Sequence, residues 1–422
     1  MISTRRAVAV RPTSFPMNQD SANPTSSARS LPGRVFDFFS GFGLATTLLL
    51  LLGVLTWLAT LEQVDRGLYD TLNKYFDWKA WYLFPEIDGR TIYFPLPGGY
   101  WVCALLLLNL TLGGVIRARK GWKHAGVLIS HFGILIMLVA GGVTQHFSER
   151  GHLEVGEGET ADTAEDYFEH VVEVAEIKNG QPTAIHEIRG EWLIDLQGDK
   201  RRLFRLPNLP FDLQLTRYES NAMPVAATER APAQSEPVVD GYFLMSRPAE
   251  KDAEANTAAC YARVLHRDGT SGGAFILAAA SFQPFTVRHD GRVFTVDMKK
   301  HLWPMPFKVR LDKFTAEFHP GTNRAKRYES EIARIENGKE ARSIISMNAP
   351  MRYEGLTFFQ AKFGPPGAGP GEKLYSVFEV VRNPGDQWPK YSLYIVSFGL
   401  GLHFLLKLIF FFTARSRYEH RS

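Results

Sequence analysis

The chain has 422 residues, and its 48 Lys and Arg against 44 Asp and Glu leave a formal charge of +4. A hydrophobic content of 45%, a charged content of 22% and a mean hydropathy of −0.14 exclude a disordered chain, a collagen-like chain and a many-span transporter. Two cysteines are too few for a disulfide scaffold, and dispersed basic residues with no aromatic-interleaved Lys/Arg stripe exclude a nucleic-acid-binding face.

These averages hide strong local bias. Residues 1–34 are rich in Ser, Thr, Pro and Arg and read as a disordered basic cytoplasmic tail. The Arg5-Arg6 pair is not a twin-arginine signal, because no apolar core follows it before the first span, which acts as an uncleaved anchor. Four almost purely apolar runs lie at about 41–61, 97–117, 123–145 and 390–412. At 1.5 Å per residue each is long enough to cross the roughly 30 Å hydrocarbon layer.

Basic residues set the orientation. Arg5, Arg6, Arg11, Arg29 and Arg34 precede span one; Arg117, Arg119, Lys120 and Lys123 link spans two and three; Arg415, Arg417 and Arg421 follow span four. Four crossings put all three groups on one side, so both termini are expected in the cytoplasm, at the inner membrane. The loop 62–96, with six acids against four bases, falls on the other side. Its aromatics Tyr69, Tyr75, Phe76, Trp78, Trp81 and Tyr82 suit the headgroup region, and an amphipathic surface helix is the expected form.

Residues 146–389 then form one extracytoplasmic region. Turn dipeptides separate β-rich runs at Asp268-Gly269, Asp290-Gly291, Asn337-Gly338 and Glu354-Gly355. The expected fold is therefore membrane α-helical, with four transmembrane helices (three N-terminal plus one C-terminal) and a large extracytoplasmic all-β, β-sandwich-like domain of one or two lobes. The expected divisions are 1–34, 35–145, 146–389 and 390–422. Within the domain, 220–256 reads as a loose Pro/Ala/Glu-rich insertion, and Trp303, Pro304 and Pro306 mark a rigid turn.

The sequence lacks HExxH, zinc-spaced His/Cys clusters, GxSxG, CxxC and CxxCH. GAGPGEK at 367–373 lacks the Gly-Lys-Ser/Thr of a phosphate loop and reads as an ordinary loop. Cys103, within span two, reads as a packing residue. The informative residues are intramembrane histidines, costly there and functional candidates by default. At 1.5 Å per residue, His131 lies about 4–5 Å and His403 about 3 Å to the cytoplasmic side of the middle of its span. Neutral imidazole ligates iron, and two at one depth could clamp a haem axially; the competing reading is hydrogen bonding between helices. His124 shares the His131 face near the cytoplasmic end, and His146 closes that helix on the outer side. Lys407 is expected to snorkel to the cytoplasmic surface. The remaining histidines, His152, His170, His186, His266, His289, His301 and His319, read as surface or structural groups.

Seven segments in order resemble the ResB-type cytochrome c biogenesis proteins: TLEQVDRGLYDTLNKYF (60–76), PLPGGY (95–100), WKHAGVLISHFGILIMLVAG (122–141), GHLEVGEGET (151–160), FHPGTNRAKRYES (318–330), NAPMRYEGLTFFQAKFGP (348–365) and NPGDQWPKYSLYIVSFGLGLHF (383–404). The resemblance spans about 35–412 with the same three-plus-one spans. It implies a subunit of the system II pathway that works with a ResC/CcsA-type haem-handling membrane protein. The pair would hold haem b transiently and present it to apocytochrome c, whose CxxCH thiols form the thioether bonds. It also implies a transmembrane haem ligand in the third span, the place His131 occupies; His403 rests on its depth alone. The chain lacks the partner's tryptophan-rich haem motif, since Trp78 and Trp81 stand in WKAW, so it is at most one subunit of a holocytochrome c synthase and not catalytic alone. Two other readings stay open: a non-catalytic membrane-anchored scaffold or sensor whose β-domain binds proteins, and a small transporter, which the lack of internal repeats disfavours.

Overall fold

In a computed structural model, the structure describes residues 30–87, 89–233, 236–267, 271–281, 283–321, 325–365 and 372–419. Most of the basic tail, the Asp268-Gly269 turn and most of GAGPGEK lie outside the described residues.

Helix α1 (Leu31–Phe39) is short and amphipathic, with Pro in its first turn. The other helices are α2 (Phe42–Arg66), α3 (Leu68–Phe76), α4 (Gly99–Asn109, continuing as π-helix over Leu110–Ile116), α5 (Ala125–Phe147) and α6 (Trp388–Glu419). Four helical stretches, 42–66, 99–116, 122–147 and 388–413, are long and apolar enough to cross a membrane. They coincide with the four apolar runs, and the chain is a membrane protein on that ground. The loop 62–96 differs from its expected form: α2 runs on to Arg66, and only α3, nine residues long, is an amphipathic helix.

Buried polar groups hold the helix ends together. Glu62, only 2% exposed, accepts from the Tyr75 hydroxyl (2.9 Å) and the Glu86 backbone N–H (3.1 Å), and pairs with Arg66 (3.0 Å) and Lys74. One carboxylate thus ties α2, α3 and the following loop together. At the other end, buried Asn109 donates to the Phe39 and Gly41 carbonyls (2.7 and 3.0 Å), covering the break between α1 and α2.

Among the described residues sixteen strands build the β-domain. In chain order they are β1 (Glu149–Gly156), β2 (Thr160–Lys178), β3 (Gln181–Ile188), β4 (Arg201–Phe204), β5 (Phe211–Glu219), β6 (Ala222–Ala226), β7 (Tyr242–Ser246), β8 (Ala259–His266), β9 (Ser271–Ala278), β10 (Phe285–His289), β11 (Arg292–Phe318), β12 (Ala325–Glu336), β13 (Lys339–Ser346), β14 (Met351–Tyr353), β15 (Leu356–Gly364) and β16 (Tyr375–Arg382). The large sheet runs β13-β12-β11-β2-β1-β16-β15-β14, with β3 on β2 and β10 on β11; a second sheet runs β9-β8-β5-β4. Three expected hairpins form, with paired positive φ at Asp290-Gly291 (48° and 74°), Asn337-Gly338 (49° and 74°) and Glu354-Gly355 (47° and 74°). This double left-handed turn matches the strand twist and selects Asx-Gly or Glu-Gly over β-branched residues.

Among the described residues the domain has two large cores and a small third cluster of Ala222, Leu244, Ala259, Tyr261 and Ala278. In one, the four-stranded sheet packs as a sandwich on β2 and β11, burying Phe211, Leu213, Phe275, Phe294 and Val296. In the other, the large sheet curls round Leu153, Val309, Ile332, Ile345, Phe358 and Phe378. Its edge strands β13 and β14 are consecutive, joined through a Ser346–Ala349 bridge. The β-sandwich expectation thus describes the first lobe, and the second is a curled sheet. Two sequence readings are corrected. Trp303, Pro304 and Pro306 lie inside β11, where the β2 register shifts between Pro304 and Val309, so the prolines occupy a bulge rather than a turn. Part of 220–256 is the antiparallel β6–β7 pair, and Asp240-Gly241 turns the chain into β7 through a Val239–Tyr242 bridge.

The domain sits on the helix ends. Strand β1 follows α5 almost directly, β16 leads into α6, and the two strands pair with Glu149 opposite Arg382, which also form an ion pair at 2.9 Å. Tyr69 of α3 stacks on Phe168 of β2, with centroids 3.8 Å apart. Gly67, at φ +82°, lets the chain pass against Lys251; a Cβ there would lie 2.0 Å from the Lys251 carbonyl oxygen.

Candidate functional site

Helices α5 and α6 pack through small residues. A Cβ on Gly126 would lie 2.5 Å from the Gly399 carbonyl oxygen, and one on Gly399 would lie 2.5 Å from Ser130 Oγ. Ser392 donates to the Gly133 carbonyl (2.7 Å), and Ser130 to the Gly126 and Val396 carbonyls (3.0 and 3.3 Å). Small side chains allow this approach, and hydroxyl-to-carbonyl bonds hold it where no hydrophobic force acts between helices in lipid. Gly126, Ser130 and Gly133 form the stripe of α5 that faces α6.

His131 follows Ser130 and is turned about 100° away from that stripe. Its ring meets the π-helical end of α4, with Nδ1 2.9 Å from the Gly114 carbonyl oxygen. A carbonyl only accepts, so Nδ1 carries the proton and donates it. In the neutral ring Nε2 then keeps its lone pair. Gly114 is needed for this approach: a Cβ there would lie 2.9 Å from His131 Nδ1 and 3.3 Å from its Cγ. Single π-helical turns recur at functional sites, and a backbone carbonyl on Nδ1 is the usual device that orients a metal-binding imidazole through Nε2. The half-buried ring, tautomer and orientation therefore leave Nε2 as a nitrogen that could hold a metal ion.

His403 is placed differently. Its backbone packs against Gly126, and a Cβ on that glycine would lie 2.5 Å from His403 N. Gly126 precedes His131 by five residues, about 7.5 Å along the helix. His403 lies on the α6 stripe that faces α5, its Nδ1 is buried without a partner, and its ring meets Phe404 at 5.7 Å. Among the described residues no ring contact joins His131 to His403. The structure thus brings His131 to α4 and His403 to the α5–α6 seam, and does not bring the two together.

The other histidines divide similarly. His124 ends a 3-10 turn just before α5. His146, at the domain end of α5, is exposed and shares a 3.1 Å hydrogen bond with the Tyr100 hydroxyl. Near it Trp81 stacks on Trp101 (4.1 Å), whose Nε1 donates to the Trp78 carbonyl, so the WKAW loop folds onto the start of α4. In the domain, His301 pairs with Glu187 at 3.0 Å, and His266 stacks on His289. His170 is buried, and burial with the nearby Lys300 ammonium pushes its pKa down to about 3. The two cysteines are free: Cys103 is half-buried in α4, and Cys260 is fully buried, its pKa pushed up to about 12 by burial. No group of three or more His, Cys, Asp or Glu among the described residues could hold a metal ion. Sequence reasoning missed Gly114, whose carbonyl carries no side-chain signature, and buried Asn109 and Glu62.

A model of the ResB-like family matches residues 268–370, which lie in the β-domain from β9 to the loop after β15. Protein NrfI of Wolinella succinogenes is 22% identical over 270 residues, covering 62% of this chain and 26% of that protein. The chain thus spans about a quarter of the length of the curated relative it matches. The resemblance read from the sequence is borne out: the family match over 268–370 and the distant relative both support a ResB-like protein.

Proposed function

We propose that this ResB-like chain is a membrane subunit of a system II cytochrome c biogenesis complex that helps to hold haem and present it to apocytochrome c. The family match and the relative support involvement in cytochrome c biogenesis. The observation that carries the finer reading is the His131–Gly114 hydrogen bond, which leaves Nε2 as the free imidazole nitrogen inside the membrane helices.

In this reading haem is cargo, and His131 Nε2 would hold its iron. His403 would reach the same haem only from the α5–α6 seam, so it is tested separately as the second ligand. The large domain stands on the extracytoplasmic side of the inner membrane, with both termini in the cytoplasm. Arg117, Lys120 and Lys123 at the domain-distal helix ends support that orientation. Neither cysteine is suited to thioether chemistry, because Cys260 lies in a core and Cys103 in a span; the reacting thiols belong to the apocytochrome. The partner is a ResC/CcsA-type protein that brings the haem motif missing here.

Detergent-purified protein, alone and with its partner, is expected to show a haem Soret band that His131→Ala weakens, with cytochrome c maturation falling in parallel. Full maturation and unchanged haem content in His131→Ala would overturn the ligand assignment. Unchanged c-type cytochromes after deletion of the whole chain would favour the scaffold or sensor reading instead.

A further inference from the structure

Where α2, α3 and α5 end against the β-domain, the chain encloses an open cleft of about 1290 Å³. That exceeds the ~300–1,000 Å³ of small-molecule pockets and suits a length of chain. Its helix side is apolar: Val64, Leu68, Leu72 and Tyr69 are exposed along it, and Ile194 faces them from the domain. Its domain side is acidic. Some of those carboxylates are already paired, Glu169 with Arg189 and Glu149 with Arg382. Glu191, Asp252, Glu254 and Glu379 also line the cleft, and none of their carboxylates has an ion pair among the described residues. Arg150, Arg189 and Lys251 are the lining cations against seven lining carboxylates, Asp166 among them, so acids remain in excess.

Two buried polar atoms at the back of the cleft lack partners. Ser148 Oγ is one, and Nε2 of His170 is the other. His170 is 4% exposed and its ring hydrogen-bonds the Phe168 backbone. A ring that donates to a carbonyl through one nitrogen presents the other as an acceptor. An acceptor left unmet in a buried place costs free energy unless a ligand supplies the donor.

From this lining we infer that the cleft binds a basic, extended polypeptide segment, with apolar side chains on the α3 wall and ammonium or guanidinium groups on the four unpaired carboxylates. An acidic lining disfavours the two carboxylates of a haem and the phosphate of a lipid, which separates this site from the one at His131. The inference rests on the proposed function only for where the segment comes from, the polypeptide that receives haem; the binding itself needs no haem.

The test uses the full chain in phosphatidylcholine nanodiscs and two fluorescein-labelled dodecapeptides, a fourfold repeat of Lys-Ser-Val and its Glu-for-Lys counterpart, with empty nanodiscs as baseline. The basic peptide is expected to bind, more weakly as salt rises, and the acidic one not. Glu191→Gln/Asp252→Asn/Glu254→Gln/Glu379→Gln together are expected to weaken binding about tenfold or more. Glu191→Lys/Glu254→Lys is expected to shift preference toward the acidic peptide, which a misfolded protein would not do. Equal binding of both peptides, no binding to the wild type, or an unchanged affinity in the neutralised variant would overturn the inference. So would loss of binding when phosphatidylethanolamine replaces phosphatidylcholine, which identifies a lipid headgroup as the occupant. Because no haem is present, failure here leaves the His131 reading intact, and failure of His131 to hold haem leaves this result intact.

Discussion

His131 of α5 and Gly114 of α4 share one hydrogen bond, 2.9 Å from Nδ1 to the carbonyl oxygen, and that bond fixes which nitrogen of a membrane-embedded imidazole is available. Gly114→Ala would push a methyl group to 2.9 Å from Nδ1. Haem affinity is expected to fall about 10–100-fold, the usual loss when the group orienting a ligand is disturbed. Haem titration followed at the Soret band checks this, with circular dichroism as the folding control. Wild-type affinity in Gly114→Ala would show that the carbonyl does not position the ring.

The α5–α6 seam separates glycines that pack from glycines that do not. Gly126→Ala places a Cβ 2.5 Å from backbone atoms of α6, whereas Gly141 has nothing within 4 Å. The first is expected to lower stability by about 1–3 kcal/mol through overpacking. Gly141→Ala should be neutral or slightly stabilising, because Ala is the better helix former. Thermal unfolding in detergent compares the two.

The buried Glu62 carboxylate holds the half-exposed Arg66 and the partly buried Lys74. Glu62→Gln keeps the shape and removes the charge, leaving Lys74 without its carboxylate while Arg66 keeps Glu86. A loss of about 3 kcal/mol is expected, against about 1 kcal/mol for Tyr75→Phe, which removes one hydrogen bond. Proteolysis of the 62–96 loop should quicken in the same order; equal rates would mean that the network does not hold it.

Acid should reveal His170. Burial, and then the Lys300 ammonium, lower its folded pKa to about 3, while an unfolded imidazole titrates near its ordinary value of about 6.5. The unfolded chain therefore binds this proton first. The contribution is fully present above about pH 6.5 and is lost as pH falls from there toward about 3. His170→Gln should flatten that part of the stability profile, and parallel wild-type and variant curves would exclude the residue as its source.

The spans and three hairpins were legible because each is written in a local pattern: apolar length for α2, α4, α5 and α6, and a turn dipeptide such as Asn337-Gly338 between alternating strands. The misread places lack one. Pro304 and Pro306 look like a turn, yet sit in a bulge of a strand whose neighbour tolerates a skipped register. The β6–β7 pair hides in Pro- and Ala-rich composition that forms strands only against a partner. Depth along a helix could be counted from sequence, so His131 and His403 looked level; which neighbour each helix turns toward could not, and the seam residues decide it. The Gly114 carbonyl is a backbone atom and leaves no trace in residue type.

The pairing of Glu149 with Arg382 has a kinetic meaning. The whole β-domain is an insertion between two helices that must find each other, α5 and α6. An unstructured connector of that length would cost several kcal/mol of closure entropy, growing only slowly with its length. Once β1 and β16 are side by side, the ends of the connector are held at neighbouring-strand distance, about 5 Å. The domain then acts as a clasp that raises the effective concentration of α6 at the α5 seam. The last helix is therefore expected to dock after the domain has folded, and a variant that blocks β1–β16 pairing should strand α6 apart from α5 even with every seam residue intact.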